Sequence, residues 1–154
     1  MANKRQTILE AIETAMNTID GTGDFETTVQ TVVLGPVDVN SRRGGDLPLI
    51  EVFGGPEENS PHQMPRQIES ELEVHVIGLQ KVANDAEKED EANKLIADVK
   101  RAIYADRSLG LGASNVLDAY VRTATPLETE QTSMVLTAMV IVVRYVHTTA
   151  SDDI

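Results

Sequence analysis

One short segment carries residues with the types and spacing for metal or acid–base chemistry. Glu71, Glu73 and His75 alternate along Glu-Leu-Glu-Val-His. In an extended chain, alternate side chains share a face about 7 Å apart, so two carboxylates and an imidazole would line one side of a strand. Such a set is metal-ligating in type, with His147 as the fourth candidate. The same alternation suits a solvated or partner-facing strand equally well, and no further Asp, Glu or His recurs at a ligand spacing. His62 stands alone in a polar stretch and reads as a solvated side chain. Gly110 and Gly112 lack the third glycine of a nucleotide fingerprint, and they follow a helix and precede a strand, the wrong order for a phosphate cradle. No serine sits in a Gly-x-Ser-x-Gly turn. The chain has no cysteine, which removes thiolate ligands, a thiol nucleophile and disulfides. The expectation is a protein that is not an enzyme, with no cofactor and no resident metal.

Charge narrows the partners. The chain has 154 residues, with 13 basic against 25 acidic, a formal charge of -12. A phosphate backbone repels such a surface, which excludes wrapping or sequence-specific reading of nucleic acid. Arg42 and Arg43 stand out in so acidic a chain. They suit an acidic partner or a phosphate; the plainer reading is two solvated arginines on a flexible loop. Aromatics make up 3% of residues and tryptophan is absent, so the core must be aliphatic. The length fits one domain spanning 1–154. The charged N-terminus is followed by no apolar segment of the secretory type, so synthesis in the cytosol is expected.

The elements that must position these residues are organised around the run from Ser133 to His147. Val135, Thr137, Met139, Ile141, Val143 and Tyr145 form one alternate set; Met134, Leu136, Ala138, Val140, Val142 and Arg144 form the other. Both sets are largely apolar and β-branched, which predicts a central strand covered on both faces. Helices would cover one side. More of the same chain, or a neighbouring subunit, would cover the other. The run is too short and interrupted to cross a bilayer as a helix.

The remaining periodicities predict, in order, a helix over 6–20 (Ile8, Ile12, Ala15, Met16, Ile19) and a strand over 25–34. A loop over 35–46 and a short strand over 47–53 follow, with Pro48 marking an edge or a strand entrance. Residues 54–67, with three prolines, read as a long loop. The alternating strand from Gln67 to Gly78 turns Leu72, Val74 and Val76 to one face. A helix follows from Asn84 to about Tyr104, acidic at its start and basic at its end, as the helix dipole favours. A hairpin of Val116–Ala124 with the central run closes the chain, leaving a frayed tail over 148–154. The fold class is α+β: a mostly antiparallel mixed sheet of about five strands, with two main helices packed on one face, in the order α-β-β-β-α-β-β.

With these elements in place, the whole chain resembles the tail terminator (tail completion) proteins of long-tailed bacteriophages. The resemblance is carried by the first amphipathic helix and the stretch Gly-Gly-Asp-Leu-Pro-Leu-Ile-Glu-Val-Phe-Gly-Gly. It continues through Leu-Glu-Val-His-Val, the helix Ala-Asn-Lys-Leu-Ile-Ala-Asp-Val-Lys-Arg-Ala-Ile with Ala-Asp-Arg-Ser-Leu-Gly-Leu after it, and the final Val-Ile-Val-Val-Arg-Tyr-Val-His. It implies a structural virion protein: a ring, commonly of six copies, at the head-proximal end of the tail tube. Such a ring stops tube polymerisation and forms the joining surface for the head connector, while DNA passes through without specific binding. The implied partners are the chain itself, the tail tube protein and the head–tail connector protein, with no membrane; assembly follows synthesis in the host cytoplasm. Residues expected to face partners are Arg42, Arg43, Glu71, Glu73, His75 and Arg144, with loops 35–46 and 54–67. The alternatives are another head–tail connector or stopper protein, a generic oligomeric binding module, and a small metal-dependent enzyme built on Glu71, Glu73, His75 and His147.

Overall fold

The structure, a computed structural model, describes residues 3–35, 47–62, 64, 66–127 and 133–148. Two helices and five strands follow one another as α1 (Lys4–Asn17), β1 (Thr31–Leu34), β2 (Leu49–Pro61), β3 (Gln67–Lys81), α2 (Lys88–Tyr104), β4 (Val116–Leu127) and β5 (Met134–Thr148). The strands form one mixed sheet in the order β1-β2-β3-β5-β4. Only β1 and β2 pair in parallel. The α+β reading with both helices over one face of the sheet therefore holds. α2 is the crossover between β3 and β4, with β5 inserted between them.

The run Ser133–His147 becomes an interior strand, although β3 rather than β5 occupies the middle of the sheet. Its two apolar sets diverge in burial. Val135, Thr137, Met139, Ile141, Val143 and Tyr145 are all buried on the helix side. Met139, Ile141, Val143 and Tyr145 pack with Ile8, Ile12 and Met16 of α1, with Leu95, Val99 and Ile103 of α2, and with Leu72, Val74 and Val76 of β3 in one core, while Val135 packs separately with Val82 and Ala92. On the opposite face Leu136, Ala138 and Val140 are only half-buried, while Val142 is buried. No described helix or strand lies over that face. Toward one end of it Leu47, Leu49 and Leu79 form a second, smaller buried cluster.

Helix α1 starts earlier than its apolar stripe suggests because Asn3 caps it: the Asn3 Oδ1 accepts the Gln6 N–H at 2.8 Å. It also ends earlier, at Asn17. Asp20 then draws the chain into a turn by accepting the Thr22 N–H at 2.9 Å. Before α2, Asp85–Glu87 forms a short 3-10 turn and the Asn84 side chain makes no capping bond. The Glu87 carboxylate instead accepts the Ala83 N–H at 3.3 Å. The glycine-rich segment after α2 is a series of turns. Leu109 and Gly110 take positive φ values of 57° and 73°, and Leu109 and Leu111 cover the core edge.

Two expectations are corrected. The strand expected over 25–34 is confined to Thr31–Leu34. Upstream, the buried Asp98 carboxylate of α2 accepts the Glu26 N–H at 3.0 Å and the Thr27 N–H at 2.7 Å. Those amides are thereby taken from any ladder. The second correction concerns 54–67, read as a long loop. Strand β2 runs on through Pro61 and pairs with β3 out to Ile68, past a register shift between Gly54 and Glu57. The glycine pair serves close approach. A Cβ on Gly54 would lie 2.6 Å from the Arg5 guanidinium, and one on Gly55 would lie 2.6 Å from the His75 ring. The polar residues beyond form an exposed hairpin arm, and its pairing comes from the β3 backbone. Pro48 stands just before β2, at a strand entrance.

The burial difference across β5 yields a direct expectation. Ile141→Asp places an uncompensated charge in the core and abolishes folding, whereas Val140→Asp, on the half-buried face, leaves a folded, soluble protein. Circular dichroism and thermal melts check this; two equally folded variants would contradict the assignment of faces.

Candidate functional site

The sheet face turned away from the helices holds Glu71, Glu73, His75 and Arg144, and the hairpin arm continues it. Register places them. Asp118 of β4, Arg144 of β5, Glu71 of β3 and Glu58 of β2 stand in one row across four strands. Farther along the same face, His75 stands between Phe53 and Val140. One end of this face is therefore charged, while the other is apolar apart from the buried Glu51 opposite Ile77.

Arg144 anchors the charged end. Its Nε donates to Glu69 Oε1 at 3.0 Å and a second guanidinium nitrogen contacts the same carboxylate. Glu71 lies at 3.6 Å from Arg144 Nε. The hydrogen bond from Arg144 holds the Glu69 carboxyl below the usual range, helped by His62 3.4 Å away. Reciprocally, Glu69 raises the Arg144 pKa. Glu73 is paired with Arg122 on the edge strand. Asp118 takes both the Nε and a terminal nitrogen of Arg107, at 2.7 and 2.8 Å. A hollow of about 60 Å³ lined by Glu58, Glu71, Glu73 and Arg122 lies among these groups. At the apolar end the His75 ring stacks on Phe53, with centroids 5.1 Å apart and planes at 13°.

On the helix side, a second set of bonds fastens the base of the arm. Ser70, wholly buried, donates to Asn59 and lies 3.0 Å from His147 Nε2. Tyr145 donates to Glu57; burial first, and then Glu57, pushes the phenol pKa up. Arg5 donates to the Gly55 carbonyl at 2.8 Å, and Lys4 donates to the Val146 carbonyl. The Ser70–His147 contact is not a nucleophile and its base, because the hydroxyl is closed off from solvent and its proton is given to Asn59.

The residues singled out in the sequence separate accordingly. Glu71, Glu73, His75 and Arg144 do share one sheet face, as alternation implied. Glu73 is engaged by Arg122, however, and His75 is stacked, while His147 points to the opposite face. Among the described residues, no three His, Asp or Glu side chains converge as a metal site. Arg42 and Arg43, loop residues 36–46 and tail residues 149–154 lie outside the described residues. Glu69, Arg122, Asp118 and Met64 were not singled out. The pairing of Glu69 with Arg144 depends on a register between residues 75 positions apart, while the exposed Met64 is a lone apolar residue in a polar stretch.

No known protein family and no curated protein matches the sequence. Among solved structures, a chain from the structure titled "Virion of native gene transfer agent (GTA) particle" is similar to this one. The TM-score is 0.45 and the identity 12%, over 91% of this chain and 95% of that chain. So low a score and identity leave the functional reading to the sequence and the geometry.

The depressed Glu69 carboxyl sets a pH dependence. With a folded pKa below the unfolded value near 4.5, Glu69 contributes stability that is full above that value and lost as pH falls through the folded pKa. Glu69→Gln is therefore expected to be less stable than the parent at pH 7 and to lose less on acidification below about pH 4.5. Urea titrations at neutral and acid pH check this; identical acid limbs would contradict it.

Proposed function

We propose that this chain is a structural virion protein of the tail terminator type. In this reading it forms a ring, commonly of six copies, at the head-proximal end of a phage tail tube. There it stops tube polymerisation and presents the joining surface for the head connector. The observation that carries the reading is the architecture itself: a sheet with both helices on one face and a half-buried, partly apolar second face with no described helix or strand over it. A neighbouring copy would finish such a face, and a closed ring needs each copy to donate one patch and accept at another. The charge agrees with the role. At -12, a protein surrounding a channel repels the DNA that must slide past it. The row Glu58–Glu71–Arg144–Asp118 supplies fixed charge for registering neighbours: Arg144 holds Glu69 and approaches Glu71, Arg107 holds Asp118, and Glu58 stands exposed. DNA is therefore cargo in transit, and the working contacts are with protein: further copies of this chain, the tube and the connector.

The test is polymerisation of tail tube protein with and without this chain, read as tube lengths in electron micrographs. The expected result is growth that stops, with a ring of density at one end of each tube. Tubes of unchanged length with bare ends would remove the terminator reading.

A further inference from the structure

We infer that the distal half of β2, residues 57–61, is a latch strand. It opens and closes on β3 as a unit of its own while the rest of the sheet stays intact, and the side chains of Tyr145 and Ser70 hold it shut. The inference does not depend on the ring reading above.

Strand β2 has two halves of different physical character. From Leu49 to Val52 every residue is buried, with β1 paired on one side and β3 on the other. Ile50 and Val52 belong to the main core. The register then breaks between Gly54 and Glu57. Beyond the break Glu57 is half-buried, and Glu58, Asn59, Ser60 and Pro61 are exposed. None of these five residues belongs to a hydrophobic cluster. Among the described residues no strand pairs with their outer side, because β1 ends at Leu34, level with Val52. Pro61 brings no N–H to the ladder. A segment paired on one side only, with exposed backbone bonds and no apolar burial, sits at the low end of local stability.

Its partner strand is the reverse. Over Ile68–Leu72, β3 stays in unbroken register with His147–Val143 of β5, and Ser70 and Leu72 are wholly buried. Release of residues 57–61 therefore leaves the β3–β5 ladder whole. It uncovers the outer backbone edge of β3 at those five positions, which becomes a free sheet edge.

Two side-chain bonds keep that edge covered. Tyr145 donates to Glu57, and Ser70 donates to Asn59. Both hydroxyls belong to buried residues of the β3–β5 pair, and they reach alternate residues of the latch strand, which share one side of it. The bond to the Glu57 carboxylate is of the stronger, charge-assisted kind. Just before the strand, Arg5 of α1 donates to the Gly55 carbonyl at 2.8 Å and fixes the base about which it moves.

Amide hydrogen exchange on the full chain tests the latch position by position. The amides of residues 57–60 that bond to β3, and the β3 amides over 68–72 that bond back, are expected to exchange together through a local opening. They should do so faster than the amides of the β3–β5 ladder. Tyr145→Phe, which keeps the ring in the core, and Ser70→Ala are each expected to raise that opening constant roughly tenfold, with the β3–β5 ladder unchanged. The chain has no cysteine, so Asn59→Cys with Ser70→Cys, directly opposite one another, gives a single cross-strand disulfide. The disulfide is expected to remove the local opening, and reduction to restore it. Exchange of residues 57–60 in step with the β3–β5 ladder overturns the inference. So does a loss of protection spread evenly over the sheet in Tyr145→Phe and Ser70→Ala, which marks both as core residues only. Local opening that survives the disulfide overturns it as well.

Discussion

The antiparallel pairing of β3 with β5 is the constraint from which the rest follows. Fifteen consecutive residues of each strand are in register, from Gln67 opposite Thr148 to Lys81 opposite Met134, with no bulge. Because side chains alternate along both strands, that single register decides which residues meet. It sends Leu72, Val74 and Val76 with Val143, Ile141 and Met139 into the helix-side core. It sends Glu71, Glu73 and His75 with Arg144, Val142 and Val140 to the other face. A shift of one residue would bury the carboxylates and expose the core. The same ladder carries β3 past the body of the sheet, so the hairpin arm is a continuation of the core pair and is braced by it.

Much of this was legible in the sequence because side-chain alternation reports burial. Leu72, Val74 and Val76 were placed on the core side by period alone, and so were the helical stripes of α1 and α2. What was not legible depends on partners distant in the chain. Residues 25–30 have strand composition, yet Asp98 from the second helix captures the amides of Glu26 and Thr27. Residues 54–61 have loop composition, yet the backbone of β3 pairs them, and backbone pairing leaves no trace in side-chain polarity. Double-sided apolarity in β5 correctly signalled an interior strand, but burial differs between its two faces, a difference that composition does not encode.

The candidate site shows the same division. Alternation brought Glu71, Glu73 and His75 to one face, and residue type suggested metal ligation. The environment changes that chemistry: Arg122 engages Glu73, Phe53 stacks on His75, and Arg144 draws in Glu69 and approaches Glu71. Carboxylates neutralised by arginines on neighbouring strands are poor ligands for a cation and good elements of a protein-facing surface. Strong net acidity and a half-buried second sheet face suit the proposed role, in which the chain contacts other proteins and DNA only passes by.

The measurement that most directly tests the central claim is the mass of the purified protein by light scattering, repeated after mixing with tail tubes. The account predicts a closed ring near six protomer masses, either in solution or formed from protomers on contact with tube ends. A protomer that remains a protomer in both settings would contradict it.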